Sequence, residues 1–175
     1  MHPTLVPEKR LVANVDGPMN AVLVQGNMVG PTLYYGAGAG AEPTASAVVA
    51  DVIDIARQTK LSNKTLIPSL GFMPDKIRKK NILSIENIFS EFYLRFTMKN
   101  QAGLLAKITN TFADHKISIN CMVHKEVQED NQNPDIFLIT SKTKESDIDT
   151  IIGEIELLPE NIEKIIKIRT EELNK

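Results

Sequence analysis

Residues 91–123 read EFYLRFTMKNQAGLLAKITNTFADHKISINCMV, and this stretch decides the fold of the second half of the chain. Apolar side chains occupy every second position over 92–98, which is the period of a strand with one buried face. Over 104–112 the apolar spacing lengthens to three and four residues, which predicts an amphipathic helix. Alternation then returns over 117–123 and predicts a second strand. The residues expected on its buried face are Ile117, Ile119, Cys121 and Val123.

Three further elements follow this stretch. A continuous apolar run at 136–140 predicts a third strand, isoleucines at helical spacing predict a second helix over 148–158, and 164–169 predicts a last strand. The resulting order, β-α-β-β-α-β, is that of the ferredoxin-like split unit, an α+β fold in which both helices cover one face of an antiparallel sheet. This order predicts the fold and carries little information on function.

The first part of the chain has a different pattern. Strand-forming residues at 20–25 and 32–35 flank Gly26-Asn27 and predict a β-hairpin, and a helix is predicted over 43–58, where Pro43 suits the first turn. A hairpin and one helix are too small for an independent core. We therefore expect this part to belong to a larger α/β unit.

A change in composition and a stretch of loop-forming residues divide the chain into two parts. Its 175 residues are 42% hydrophobic and 24% charged, enough for one good core or two small ones. A stretch containing proline, glycine and a basic run separates a Gly/Ala/Val-rich part from an Ile/Lys/Glu-rich part. We predict two regions, 1–58 and 91–175, joined by a linker at 59–90.

Charge and ligand-forming residues exclude several function classes. The formal net charge is −2, so nothing in the electrostatics favours nucleic acid or an anionic membrane as a partner. No apolar run reaches the roughly 18 residues that a membrane span requires. The single cysteine and three scattered histidines have no metal-ligand spacing, so no metal is expected. The expected compartment is the reducing cytoplasm.

A glycine-rich turn, Gly36-Ala37-Gly38-Ala39-Gly40, runs from the hairpin into the first helix. Glycines allow close backbone approach, and a helix N-terminus attracts anions, so this turn suits a cofactor or phosphate. The spacing differs from the G-x-G-x-x-G dinucleotide fingerprint. A merely tight turn is the favoured alternative on the residues alone.

Several ordered blocks resemble homoserine dehydrogenase. They are His2-Pro3-Thr4-Leu5-Val6-Pro7, Asn20-Ala21-Val22, Tyr34-Tyr35 with the glycine turn, and Pro43-Thr44-Ala45-Ser46-Ala47-Val48-Val49-Ala50-Asp51. The resemblance implies that Gly38, Ala39 and Gly40 approach the nicotinamide end of NAD(P) in the parent enzyme. It also implies that the Rossmann loop, the catalytic lysine and the substrate-binding carboxylates lie upstream of these blocks. No residue here is therefore assigned a catalytic role, and this chain alone is expected to bind no cofactor and to be inactive.

The loop Asn100-Gln101-Ala102-Gly103-Leu104-Leu105, together with His115-Lys116-Ile117-Ser118-Ile119-Asn120, resembles the ACT domain. That resemblance spans about 91–170 and implies an amino-acid effector, with threonine as the first choice, and homo-oligomers formed through the domain. The effector residues it implies are Asn100, Ala102, Gly103 and Leu104 from one chain and Ser118 and Asn120 from its partner. Ala102 stands where the family often has proline, and Asn100 where it often has aspartate.

These departures leave two possibilities open for the ACT region: effector binding, or a degenerate domain that serves dimerisation alone. The resemblance as a whole implies the C-terminal part of an NAD(P)-dependent enzyme that interconverts L-homoserine and L-aspartate 4-semialdehyde, on the route to threonine and methionine. The alternative is a stand-alone, non-catalytic amino-acid-sensing or dimerisation module. A phosphate-binding protein based on the glycine turn fits the sequence poorly.

Overall fold

The computed structural model describes residues 2–60, 68, 70–125 and 133–171. Residues 61–67 and 69 of the predicted linker, and 172–175 of the predicted last region, lie outside the described residues. The chain divides into two compact units, one formed by Glu8–Asn81 and the other by Met1–Pro7 together with Ile82–Lys175.

The secondary structure contains strands, three helices and short 3-10 turns within the described residues. The strands are β1 (Thr4–Leu5), β2 (Met19–Gly26), β3 (Gly30–Ala37), β4 (Phe89–Thr97), β5 (Ile119–Lys125), β6 (Asp135–Thr140), β7 (Thr143–Lys144) and β8 (Ile166–Thr170). The helices are α1 (Ala41–Lys60), α2 (Leu104–Asp114) and α3 (Glu145–Glu156). The 3-10 turns are Leu11–Asn14, Pro74–Lys76 and Ile85–Asn87.

The main sheet has the strand order β1-β8-β4-β6-β5, and β7 pairs with the start of β4. Strands β8, β4, β6 and β5 are joined by antiparallel pairing. Numbered within the split unit they run fourth, first, third, second, which is the ferredoxin-like order. The predicted α+β class, with a β-hairpin and helix before a ferredoxin-like unit, is confirmed.

The core of this unit lies between the sheet and its two helices. Alternate residues of β4, from Phe92 to Phe96, point toward the helices and are fully buried, as is Met98 just after the strand. Each helix contributes one apolar stripe that packs against the sheet. This packing removes apolar area of the sheet and of the helices from water, which stabilises the fold. The other core residues are Leu104, Ile108, Phe112, Ile117, Ile136, Leu138, Ile148, Ile151, Ile155 and Ile165.

Strand β5 departs from the predicted alternation. The register shifts between Ile119 and Cys121, so one extra residue is accommodated there as a bulge. A bulge inverts which side chains face inward beyond it. Met122 therefore packs against the core, while Cys121 and Val123 are exposed. The prediction that Cys121 and Val123 are buried was wrong for this reason.

The short strand β1 was not predicted. It lies parallel to β8, with Thr4 opposite Arg169 and Leu5 opposite Thr170, and the Glu171 amide donates a 2.9 Å hydrogen bond to the Leu5 carbonyl. Two residues are too few to show a period, so the sequence gives no strand signal here. This pairing groups Met1–Pro7 with the second unit, although the predicted division assigns them to the first region.

The unit formed by Glu8–Asn81 contains the predicted hairpin and helix. Strands β2 and β3 pair antiparallel from Met19 opposite Ala37 to Gly26 opposite Gly30, and α1 follows the glycine turn. No described residue of this unit is buried, and the apolar residues of α1 are exposed. Exposed apolar area of this kind marks a surface that normally has a partner, as expected for part of something larger.

Candidate effector site

The loop from β4 to α2 carries the predicted effector residues and has a tight, locally determined shape. Gly103 has a φ of +86°, a left-handed conformation that favours glycine. The Leu104 amide donates to the Gln101 carbonyl at 3.2 Å, and the Lys107 amide donates to the Gly103 carbonyl at 3.0 Å. These bonds fix the first turn of α2 without the proline that the family often has at position 102.

A cavity of about 360 Å³ lies against this loop, lined by residues 100–106, His124 of β5 and Ile136 of β6. Four predicted effector residues are thus brought together in one cavity: Asn100, Ala102, Gly103 and Leu104. The cavity has two kinds of wall. The loop and the N-terminus of α2 form one side. The imidazole of His124 and the side chain of Ile136 form the other.

The polar groups that line the cavity are available to a ligand. Within the described residues, the side chains of Asn100, Gln101 and His124 make no hydrogen bond, and the amides of Leu105 and Ala106 have no backbone acceptor. Free amides at a helix N-terminus suit a carboxylate, and an asparagine side chain offers both a donor and an acceptor. The lining carries no formal charge when His124 is neutral. This arrangement suits a small zwitterion such as a free amino acid.

Ser118 and Asn120 lie elsewhere in the same chain. Strands β4 and β5 run in the same direction because both are antiparallel to β6, so the start of β5 is remote from the loop that follows β4. The Asn120 amide nitrogen donates to the Glu91 carboxylate at 3.1 Å and to the Thr140 carbonyl at 3.2 Å. One chain therefore does not bring Ser118 and Asn120 to the cavity.

The glycine turn comprises the end of β3 and the three residues that lead into α1, and it is exposed. Gly40 has a φ of +132°, which favours glycine, and its carbonyl accepts a 3.2 Å hydrogen bond from the Thr44 amide. A Cβ atom at position 38 would overlap the Asn20 side chain. Local geometry thus explains both glycines, and the exposed backbone of Gly38, Ala39 and Gly40 leaves room for a ligand edge.

Two family models match separate parts of the chain. A family model described as homoserine dehydrogenase matches residues 1–53, and one described as the ACT domain matches residues 92–160. A homoserine dehydrogenase of Neisseria gonorrhoeae is 46% identical over 99% of this chain and 40% of its own length. The chain is similar to homoserine dehydrogenases. It matches the C-terminal part of that enzyme, as the sequence predicted.

Two further relatives agree with this homoserine dehydrogenase assignment. A homoserine dehydrogenase of Pseudomonas aeruginosa is 42% identical over 99% of this chain and 40% of its own length. The crystal structure of a homoserine dehydrogenase from Thiobacillus denitrificans matches 99% of this chain and 38% of that chain, with a TM-score of 0.85 and 48% identity. The chain therefore spans about 40% of the length of the relatives it matches.

Sequence reasoning missed two buried carboxylates in the ACT domain that pair with cations. Glu145, at the start of α3, is buried and accepts hydrogen bonds from Lys167 at 2.5 Å and from Arg169 at 2.7 Å. The buried Glu160 accepts a 2.5 Å hydrogen bond from Lys107, and this bond holds the Glu160 pKa below its ordinary value of 4.5. These contacts join segments distant in sequence, so residue spacing does not reveal them.

Two further features, a metal site and a helix that could span a membrane, are absent from the described residues. Among the residues that the structure describes, no group of three or more His, Cys, Asp or Glu side chains could hold a metal ion. None of the helices in those residues is long and apolar enough to cross a membrane.

Proposed function

We propose that this chain is the C-terminal regulatory portion of a homoserine dehydrogenase that interconverts L-homoserine and L-aspartate 4-semialdehyde with NAD(P). The match of the homoserine dehydrogenase model to residues 1–53 supports the parent activity, and the ACT match to residues 92–160 supports regulation. The reaction lies on the route to threonine and methionine, and we place the protein in the cytoplasm. No residue of this chain is assigned a catalytic role.

In the parent enzyme the reduced cofactor, NAD(P)H, would supply the hydride for the carbonyl reduction. The exposed backbone of Gly38, Ala39 and Gly40 would lie against its nicotinamide end, because glycines flanking a small alanine let a backbone approach a ligand closely. The N-terminus of α1, which follows the turn, would add its free amides. These residues would position the cofactor and would take no part in the chemical step.

The ACT domain binds an amino-acid effector, and threonine is the first choice because the family resemblance implies it. The observation that carries this proposal is the cavity at residues 100–106, whose polar lining groups have no partner within the described residues. The amides of Leu105 and Ala106 would receive the α-carboxylate. The Asn100 side-chain oxygen would accept from the α-ammonium group.

A second copy of the chain would complete this effector site. Strand β5 is the last strand of the sheet order, so among the described residues its outer edge has no partner. Two β5 edges paired antiparallel about a two-fold axis would bring the start of one β5 beside the end of the other. Ser118 and Asn120 would then approach the partner's loop, and the Asn120 side-chain oxygen has no hydrogen bond to any described residue.

Calorimetric titration with threonine, isoleucine, serine and methionine tests the effector proposal. We expect threonine to bind, and Asn100→Ala to weaken binding by about 1–3 kcal/mol, or about five- to 150-fold, because a ligand polar group loses its partner. Asn110→Ala is the matched control, since Asn110 is exposed on α2 and does not line the cavity. A parent chain that binds none of these amino acids would leave dimerisation as the role of the domain.

A further inference from the structure

One of the three histidines differs from the others in its surroundings. His2 lies 3.0 Å from the Thr4 hydroxyl, and His115 lies 2.9 Å from the Glu154 carboxylate. His124, on β5, makes no hydrogen bond within the described residues and lines the cavity. Its ring nitrogens are therefore the ones free to meet a ligand.

We infer that the His124 imidazole hydrogen-bonds the side-chain hydroxyl of the amino-acid effector and thereby selects threonine over valine. The inference rests on the proposed effector function and assigns specificity to a residue within that site. The loop side of the cavity supplies groups suited to the α-carboxylate and α-ammonium of any amino acid. Discrimination between amino acids must come from the wall that the side chain meets.

That wall combines one polar and one apolar residue. His124 lies beside Ile136 because the two residues are directly paired across β5 and β6. Threonine branches at Cβ into a hydroxyl and a methyl group, so the hydroxyl can bond the imidazole while the methyl packs on Ile136. Valine has the same shape with two methyl groups and would leave an imidazole nitrogen unpaired against carbon.

The neutral lining narrows the ligand class further. No residue that lines the cavity carries a formal charge when His124 is neutral, so a charged effector side chain would lose hydration without gaining a counter-ion. Aspartate and lysine are therefore poor ligands. The cavity favours a short, uncharged side chain that contains a hydroxyl group.

Isothermal titration of threonine and valine into the parent and His124→Leu chains tests this assignment. We expect the parent to prefer threonine by about tenfold, a modest factor because His124 is exposed, and the variant to lose this preference through weaker threonine binding. His115→Leu is the matched control, because His115 is absent from the cavity lining and should leave the preference intact. Unfolding by urea checks that both variants fold.

An NMR titration of the parent chain gives an independent readout. Threonine should shift the imidazole resonances of His124 more than those of His2 and His115, and this result stands even if the His124→Leu chain fails to fold. Threonine binding with an unchanged preference in His124→Leu, or with no His124 shift, would overturn the inference and leave the Asn100 site in place. Failure of the parent to bind any amino acid would overturn both proposals together.

Discussion

Replacement of Glu145 by glutamine tests whether a buried ion network holds α3 to β8. The Glu145 side chain is 3% exposed. Its carboxylate forms salt bridges with the Lys167 ammonium group at 2.5 Å and the Arg169 guanidinium at 2.6 Å. Its own backbone amide donates to the Ile88 carbonyl at 2.9 Å, so the residue also ties α3 to the segment that precedes β4. Neutralising it leaves two partly buried cations without their shared counter-ion.

Breaking a buried ion pair by removing one partner costs about 3–5 kcal/mol, so Glu145→Gln should lower the free energy of unfolding by an amount in this range. Asp149→Asn is the matched control, because Asp149 contacts the same Lys167 but its side chain is 52% exposed. An exposed pair contributes about 0–1 kcal/mol. The assay is urea unfolding followed by far-ultraviolet circular dichroism at pH 7. Equal small losses in the two variants would refute a structural role for the network.

The remaining predictions concern acid stability, thiol exposure and local protection. Because pairing with Lys107 lowers the Glu160 pKa, its stabilising contribution is full above the ordinary value of 4.5 and is lost as pH falls through the lowered folded value. Urea unfolding should therefore show a smaller loss between neutral and acidic pH in Lys107→Met than in the parent, and equal losses would argue against the pair. Native Cys121 should react with a thiol reagent at nearly its unfolded rate, whereas reaction only after unfolding would argue against the bulge. Amides of α1 should exchange faster than those of α2 at low chain concentration, and equal protection in a monomer would contradict the exposed surface of α1.

The sequence predicts the ferredoxin-like unit well because its core depends on simple periods. Alternation over 92–98 and helical spacing over 104–112 each place apolar residues on one face, and the structure buries those faces. The register of β5 could not be predicted, because a bulge depends on cross-strand pairing with β6 and not on the local pattern. Strand β1 was missed because two residues owe their conformation entirely to β8.

The candidate site was predicted only in part. Asn100 to Leu104 form a continuous loop, so a local motif locates them. His124 was not predicted, because its place in the cavity depends on tertiary structure. The predicted topology contains one signal for His124. The strands at 92–98 and 117–123 run in the same direction, so their carboxyl ends lie at the same end of the sheet. Residues just beyond both strands therefore lie close together in that topology.

The central claim is that the effector lies in the cavity of one chain, between its loop and His124, and that the start of the partner's β5 completes the site. The direct test mixes Asn100→Ala chains with Asn120→Ala chains, after unfolding and refolding them together, and titrates the mixture with threonine. A two-fold dimer of one variant with the other contains one undamaged site, so about one quarter of all sites should regain the parent's affinity. Binding no stronger than that of the two variants measured separately would contradict a shared site, and a parent chain that binds no threonine would contradict the claim outright.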